Sequence, residues 1–359
     1  MVAHGYRTAL VLAALIGVAA SSGGQDQIDS YQTRLANAGT RPAAPDGTIV
    51  AALAQWQALR QTDALPFDSY AGFIMAHPGW PGEAANRRAA ERQAGMASPA
   101  NVIAFFRAYP PVSGAGGVAY ARALAASGQA AEASRAAGGA WRKPSLSAAD
   151  ESYLLANFGT ALTPEDHDAR MDALLWAGAT SGAARQLALV SPARRAGFAA
   201  RLSFRTNAAD AATLATAEPG ALAGDPGYVA DRGSWLRNNG ASPTSRAWLA
   251  RARQLTSYPG NPEEWFEVLL TAARGAANDG QYQLAYDIAR QIGDAYPAGT
   301  DISAKPYGER DDYTSLAWLG GQVAFKNLNR PADAMTLFDR YARGSRSPQT
   351  RAKGFYWAG

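Results

Sequence analysis

The sequence of 359 residues contains no cysteine, only three histidines and no long run of charge of one sign. The missing cysteines exclude disulfides, thiol catalysis, thiolate metal sites and a lipid-anchored N-terminal cysteine. Lys and Arg number 34 against 30 Asp and Glu, and the two signs are interleaved along the chain. The basic stripe that nucleic-acid-binding proteins carry is therefore missing, and we expect no nucleic acid partner.

Histidines and glycines form no recognisable metal or cofactor site. Neither His77 nor His167 has a second histidine or a cysteine at metal-ligand spacing. We interpret His167 as part of a solvated first helical turn. The run GAGGVA, residues 114–119, has the spacing of a dinucleotide loop, but Pro110 and Pro111 precede it and no βαβ unit surrounds it. We predict no metal and no cofactor.

The acidic residues do not indicate a catalytic centre. The densest cluster is Glu263, Glu264 and Glu267, in which the last two lie one helical turn apart. Paired carboxylates serve glycoside chemistry, but an ordinary polar helix face is the preferred interpretation here. The chain has no Gly-x-Ser-x-Gly elbow, and a Ser/His/Asp constellation lacks a suitable histidine. We assign no catalytic residue.

The N-terminal segment has the features of an export signal. Arg7 precedes an apolar run over residues 9–20, and small residues follow it. This run is shorter than the ~20 residues that span a bilayer. We therefore interpret residues 1–20 as a cleaved signal peptide, which predicts an exported protein without a permanent membrane span.

The remaining sequence divides into a polar segment and a long uniform region. Residues 21–47 are polar and carry prolines and a glycine near their end, which predicts a linker or a loosely packed arm. From residue 48 to residue 359 the apolar positions recur at helical spacing, as in Ile49, Leu53 and Trp56. Alternation of the β type is nowhere sustained.

Short polar residues followed by proline predict the helix starts. The polar side chain accepts a bond from the first turn, and proline at the first helical position gives up an N–H that has no partner. We predict that a left-handed residue closes several helices. The predicted starts are Ser98, Thr163, Ser191, Ser242, Asn261 and Ser347, and the predicted ends are Gly159, Gly182, Gly240, Gly280 and Asn329.

These signals predict an all-α fold of roughly sixteen helices joined by short turns. Helix pairs of about 35 to 45 residues indicate an α-superhelix or solenoid, ring- or horseshoe-shaped, over residues 48–359. Eight of the nine tryptophans recur about once per helix pair. We expect most of them to pack between helices, and the alternative is that some stack on sugar rings.

Three stretches carry a family resemblance. They are DSYAGFIMAHPGWP at residues 68–81, the segment that begins YLLANFGTALTPEDHD at residues 153–202, and the segment that begins AWLGGQVAFKNLNRPADA at residues 317–359. The last is the most specific, with W-L-x-G, an L-N-x-P-x-x-A turn, S-P and a final Y-W. Together they resemble the N-terminal part of soluble lytic murein transglycosylases.

The resemblance implies a periplasmic helical scaffold whose partner is peptidoglycan. In that family a lysozyme-like domain cleaves the MurNAc-GlcNAc bond with a 1,6-anhydro product, and a Glu-Ser pair followed by Gly-Leu-Met-Gln marks it. This chain has Glu151-Ser152, but neither Met171 nor Met335 lies in a Gly-Leu-Met-Gln sequence. The resemblance therefore implies a scaffold truncated at its C-terminal end, inactive by itself.

Two other functions stay open at this point. The chain could be a free-standing periplasmic helical-repeat module that binds a protein or peptide. It could also be a complete enzyme with an unrecognised site.

Overall fold

A computed structural model describes residues 47–359, which form 18 α-helices and four short 3₁₀ segments, with no strand among them. The prediction of an all-α fold is confirmed. The helix number exceeds the expected sixteen because short helices of six and seven residues occur between the longer ones. The signal peptide at residues 1–20 and nearly all of the linker at residues 21–47 lie outside the described residues.

The helices are numbered here in chain order. The first nine are α1 (Gly47–Gln61), α2 (Phe67–Ala76), α3 (Glu83–Gln93), α4 (Pro99–Ala108), α5 (Gly114–Ala126), α6 (Ala130–Trp141), α7 (Ala148–Phe158), α8 (Pro164–Trp176) and α9 (Thr180–Gln186). The second nine are α10 (Pro192–Thr206), α11 (Ala211–Thr216), α12 (Pro226–Asn238), α13 (Ser242–Ala250), α14 (Pro262–Asn278), α15 (Tyr282–Ala289), α16 (Tyr307–Lys326), α17 (Pro331–Gly344) and α18 (Pro348–Ala358).

The chain divides into two units. Helix α1 belongs to a unit that ends at Thr62, and residues from Asp63 to Gly359 form the other. Within the larger unit, consecutive helices pack on each other, as α5 does on α6 and α16 does on α17. Many helices also pack on the next but one, as α10 on α12, α12 on α14 and α14 on α16. Stacked helix pairs make contacts of this local kind; the superhelical arrangement remains a prediction.

Most of the predicted helix starts are confirmed. The side chains of Ser98, Thr163, Asn261 and Ser347 accept hydrogen bonds from the first turns of α4, α8, α14 and α18, each with proline at the first or second position. Ser191 precedes α10, but its hydroxyl donates to Asp168 Oδ2 (2.6 Å) instead of capping the helix.

One start was misplaced and one was missed. Ser242 is the first residue of α13, and Ala241 stands before it without a capping side chain. The missed start is Asp225-Pro226, where the aspartate accepts a hydrogen bond from the Tyr228 N–H (2.9 Å). Aspartate is as good a helix-capping residue as serine. A short polar residue followed by proline therefore predicts this start too, in the same way as for Ser, Thr and Asn.

Three of the five predicted left-handed helix ends are confirmed. Gly240, Gly280 and Asn329 have positive φ angles of 81°, 73° and 52°. The prediction is wrong for Gly159, whose φ of −53° is helical, and for Gly182, which lies inside α9. The left-handed residue before α9 is Gly178 (φ 67°), so the turn falls four residues earlier than expected.

Small residues let α16 approach its neighbours closely. A Cβ atom added at Gly320 would lie 2.6 Å from Ala289 Cβ and 2.9 Å from Leu337 Cδ1. One added at Gly321 would lie 2.6 Å from the Phe338 ring. These glycines are therefore required by helix packing rather than by backbone conformation.

No helix in residues 47–359 is both long and apolar enough to cross a membrane.

Substituting glycine by alanine should have opposite effects at two helical positions. We expect Gly320→Ala to lower the free energy of unfolding by ~1–3 kcal/mol, because the new methyl group overlaps two packed side chains. Gly139→Ala in α6 should raise it by ~0.5–1 kcal/mol, because the site is exposed and a new Cβ meets nothing within 4 Å. Urea unfolding of the two variants measures the difference, and equal effects would contradict the packing described for α16.

Candidate functional site

A chain of five charged side chains connects four helices in the middle of the larger unit. Arg201 and Arg205 lie one turn apart on α10. Arg201 donates to Asp172 of α8 (2.5 Å) and to Asp231 of α12 (2.8 Å), and Arg205 binds Asp231 (2.7 Å) and Glu264 of α14 (2.7 Å). The order is Asp172, Arg201, Asp231, Arg205, Glu264, and we call it the charge ladder.

The centre of the charge ladder is closed to solvent. The side chains of Arg201 and Asp231 are 1% and 3% exposed. Burial alone would lower the pKa of Arg201, but the negative charges of Asp231 and Asp172 outweigh it and raise that pKa. Both arginines also lie over the Trp176 ring, at 5.3 Å and 5.9 Å from its centroid. The Arg201 guanidinium thus keeps its charge in a region that water does not reach.

A polar pocket opens at the end of the charge ladder that is formed by Arg205 and Glu264. Its volume is about 350 Å³, which lies at the lower end of the ~300–1,000 Å³ typical of small-molecule sites. Helices α10, α12 and α14 form its walls. It is lined by Phe204, Arg205, Asn207, Asp231, Ser234, Trp235, Asn238, Asn239 and Glu264.

Hydrogen bonds hold the aromatic wall of this pocket in place. Trp235 Nε1 donates to Asn207 Oδ1 (2.7 Å), and Asn239 Nδ2 donates to the Trp235 carbonyl (2.9 Å). Asn207 closes α10 in the left-handed conformation, with a φ of 50°. Asparagine tolerates this conformation better than most residues, so the helix end itself directs the amide toward Trp235.

Glu264 is turned toward the pocket, so the predicted polar helix face is only partly correct. Glu267 is exposed, whereas the Glu264 side chain is 28% exposed and bonded to Arg205. Burial raises the pKa of Glu264, and the charge of Arg205 opposes that effect. Its backbone N–H is also capped by Asn261 (3.3 Å). Arg205 binds the carboxylate and Asn261 fixes the first turn of α14, and together they hold Glu264 at the pocket wall.

His167 is packed rather than solvated, which corrects the sequence interpretation. Its Nδ1 accepts a hydrogen bond from Trp141 Nε1 (3.2 Å) and lies 3.3 Å from Gln186 Nε2. Burial lowers the pKa of His167, although Asp166 and Asp168 raise it. The sequence around His167 could not reveal this environment, because the tryptophan that contacts it comes from α6.

The other sequence candidates have structural roles. Glu151 pairs with the buried Arg170 and with Arg185, so the Glu-Ser pair is part of a helix contact. The GAGGVA run forms the first turns of α5. The ring of His77 packs 4.8 Å from that of Phe73 and 5.4 Å from that of Trp80. In residues 47–359 no three His, Asp or Glu side chains come together as a metal site would require.

The tryptophans have a role that spacing alone does not reveal. Four of them lie against buried arginines, with guanidinium-to-ring distances of 4.3 to 5.3 Å, in the pairs Trp141–Arg170, Trp176–Arg201, Trp248–Arg232 and Trp265–Arg253. Each of these rings is buried, as expected for packing between helices. Trp235 is the tryptophan that instead lines the polar pocket.

Sequence reasoning missed the charge ladder and the pocket. The one usable signal is the four-residue spacing of Arg201 and Arg205, which places both on one face of α10. Their partners are 26 to 59 residues away along the chain and belong to three other helices.

Comparisons of the chain with protein-family models, curated proteins and solved structures find no match.

Removing the central guanidinium should destabilise the protein strongly. We expect Arg201→Met to lower the free energy of unfolding by ~3–5 kcal/mol, because it leaves Asp231 buried beside one cation instead of two. Arg195→Met, on the exposed face of the same helix, should have little effect. Urea unfolding compares the two. Similar small losses in both variants would contradict the structural role of the charge ladder.

His167 should make stability depend on pH. Its folded-state pKa is lowered, so the unfolded state binds the proton more tightly. This contribution is fully present above the ordinary value of 6.5 and is lost as pH falls below it toward the folded-state pKa, because a proton on Nδ1 breaks the bond from Trp141. Thermal unfolding from about pH 7.5 to about pH 5 should show a smaller decline in His167→Gln than in the native chain. Identical declines would contradict this assignment.

Proposed function

We propose that this chain is the helical scaffold region of a periplasmic lytic transglycosylase and that it holds glycan strands of peptidoglycan. Cleavage of the MurNAc-GlcNAc bond belongs, in this proposal, to the catalytic domain of that family, whose marker sequence this chain does not contain. The scaffold binds glycan, and the chain by itself does not cut it.

The observation that carries the proposal is the polar pocket between α10, α12 and α14. Its wall combines a half-buried indole with three asparagines, one serine and two carboxylates. Amides and carboxylates offer the donors and acceptors that sugar hydroxyls need. An aromatic ring offers the flat apolar surface that packs on the C–H groups of a pyranose.

The segment with the most specific resemblance gives further support. Its motifs fall on three consecutively packed helices, and two of them stand at helix starts. W-L-x-G lies within α16, L-N-x-P leads into α17, and S-P begins α18. The segment that carries the resemblance forms one packing unit, in which Trp318 contacts the rings of Phe338 and Tyr341.

A second candidate function is the protein-interaction module. Phe325 of α16 and Tyr356 and Trp357 of α18 are exposed, and the Trp357 ring lies 6.0 Å from each of the other two. Contiguous exposed aromatic residues are typical of protein-binding surfaces. This surface lies on different helices from the polar pocket, so the two functions require different parts of the chain.

A sedimentation assay with purified, protein-free sacculi distinguishes these two functions. We expect the chain to sediment with sacculi and to remain bound after a high-salt wash, which removes a protein held only by its net charge of +4. We also expect no soluble 1,6-anhydro-muropeptides in the supernatant. Failure to sediment would contradict glycan binding and favour the protein-interaction module. Release of anhydro products by the chain alone would contradict the scaffold role.

A further inference from the structure

We propose that the polar pocket binds a single uncharged, hydroxyl-rich sugar ring and that its wall selects against anionic groups. This inference rests on the proposed function, because glycan strands supply such rings. It goes further in naming the site, the contacts and the charge of the ring that is bound.

The charge of the wall decides against an anionic ligand. Arg205 is the one cationic side chain that lines the pocket, against the two carboxylates of Asp231 and Glu264. Its guanidinium binds both of them. The cation is therefore already neutralised within the wall. Asp231 also binds Arg201, which does not line the pocket, so the charge ladder as a whole has three carboxylates against two guanidinium groups and retains one excess negative charge. A carboxylate or phosphate entering the pocket would be repelled and would find no free guanidinium.

The hydrogen-bonding groups that remain suit neutral hydroxyls. Glu264 Oε2 has a single distant partner, Asn261 Nδ2 at 3.4 Å, so it retains capacity to accept a bond. Asn238 and Asn239 are exposed at the rim, and each side-chain amide both donates and accepts. A hydroxyl group also donates and accepts, so it satisfies carboxylate and amide alike. The wall thus has mixed polarity, with acceptors in excess.

The indole provides the apolar part of the contact. Trp235 packs at 40° against Phe204, with ring centroids 6.1 Å apart, and its N–H is occupied by Asn207. The ring is therefore fixed by its neighbours before any ligand arrives. A preorganised aromatic surface loses little conformational entropy on binding. A sugar ring that stacks here has its hydroxyl edge within reach of the asparagines that line the same pocket.

Calorimetric titration of the chain with fully N-acetylated chitotetraose, called chitotetraose below, tests the inference, because that oligosaccharide is neutral and has acetamido sugars throughout. The comparison ligand is an oligogalacturonide of the same length, which carries a carboxylate on every ring. We expect the neutral oligosaccharide to bind at least tenfold more tightly. Equal affinity, or tighter binding of the acidic ligand, would overturn the inference.

Three variants connect the binding to the pocket. Trp235→Leu should weaken chitotetraose binding about tenfold, and Tyr307→Leu, an exposed aromatic outside the pocket lining, should leave it unchanged. Glu264→Gln removes the excess negative charge while keeping the side-chain shape. It should narrow the preference for the neutral ligand severalfold, an effect that a purely structural role would not produce. Circular dichroism and thermal unfolding verify that each variant is folded.

The outcomes distinguish this inference from the proposed function. If the native chain sediments with sacculi but folded Trp235→Leu binds chitotetraose as the native chain does, the pocket assignment is wrong and the proposed function stands. If the native chain binds neither sacculi nor chitotetraose, both are wrong. Weaker binding of chitotetraose by Trp235→Leu, together with a narrowed preference in Glu264→Gln, supports the inference.

Discussion

The structure depends on pairing arginines that are buried inside a helical core. A guanidinium group cannot leave water without acceptors, because an unpaired buried charge costs several kcal/mol. Arg170 meets this requirement with the carbonyls of Trp141 and Lys143 as well as with Glu151, and Arg232 meets it with the Ala215 carbonyl. Arg201 has two carboxylate partners, Asp172 of α8 and Asp231 of α12.

This pairing also explains how helices of low individual stability are fixed in one arrangement. Alanine and glycine provide close approach but little direction, since small apolar surfaces pack in several registers. Hydrogen bonds from a planar guanidinium are directional, and each arginine donates to a helix at a set position. The indole rings above the guanidinium groups exclude water and add cation–π attraction. Helix register and the position of the polar pocket thus have a common cause, because Arg205 and Asp231 belong to both.

Much of the fold could be predicted from sequence, and most of the site could not. Helix starts depend on residues within one turn, so the local sequence was sufficient to predict the starts at Ser98, Thr163, Asn261 and Ser347. The prediction for Gly182 is wrong because the sequence alone does not distinguish a glycine inside a helix from one at a helix end. The neighbours in space decide between the two. The pocket brings together residues from three helices up to 60 positions apart. Its residues have ordinary sequence contexts. The sequence places Glu264 on a polar helix face, and only its contact with Arg205 distinguishes it from the other acids there.

A double-mutant cycle between Arg201 and Asp231 tests this account most directly. The two single variants, Arg201→Met and Asp231→Leu, each leave a buried charge with one partner instead of two, whereas the double variant removes the opposing pair together. We predict a coupling free energy of at least ~2 kcal/mol from urea unfolding, with the double variant more stable than the sum of the single losses implies. Additive losses would show that the two charges do not depend on each other and would contradict the account.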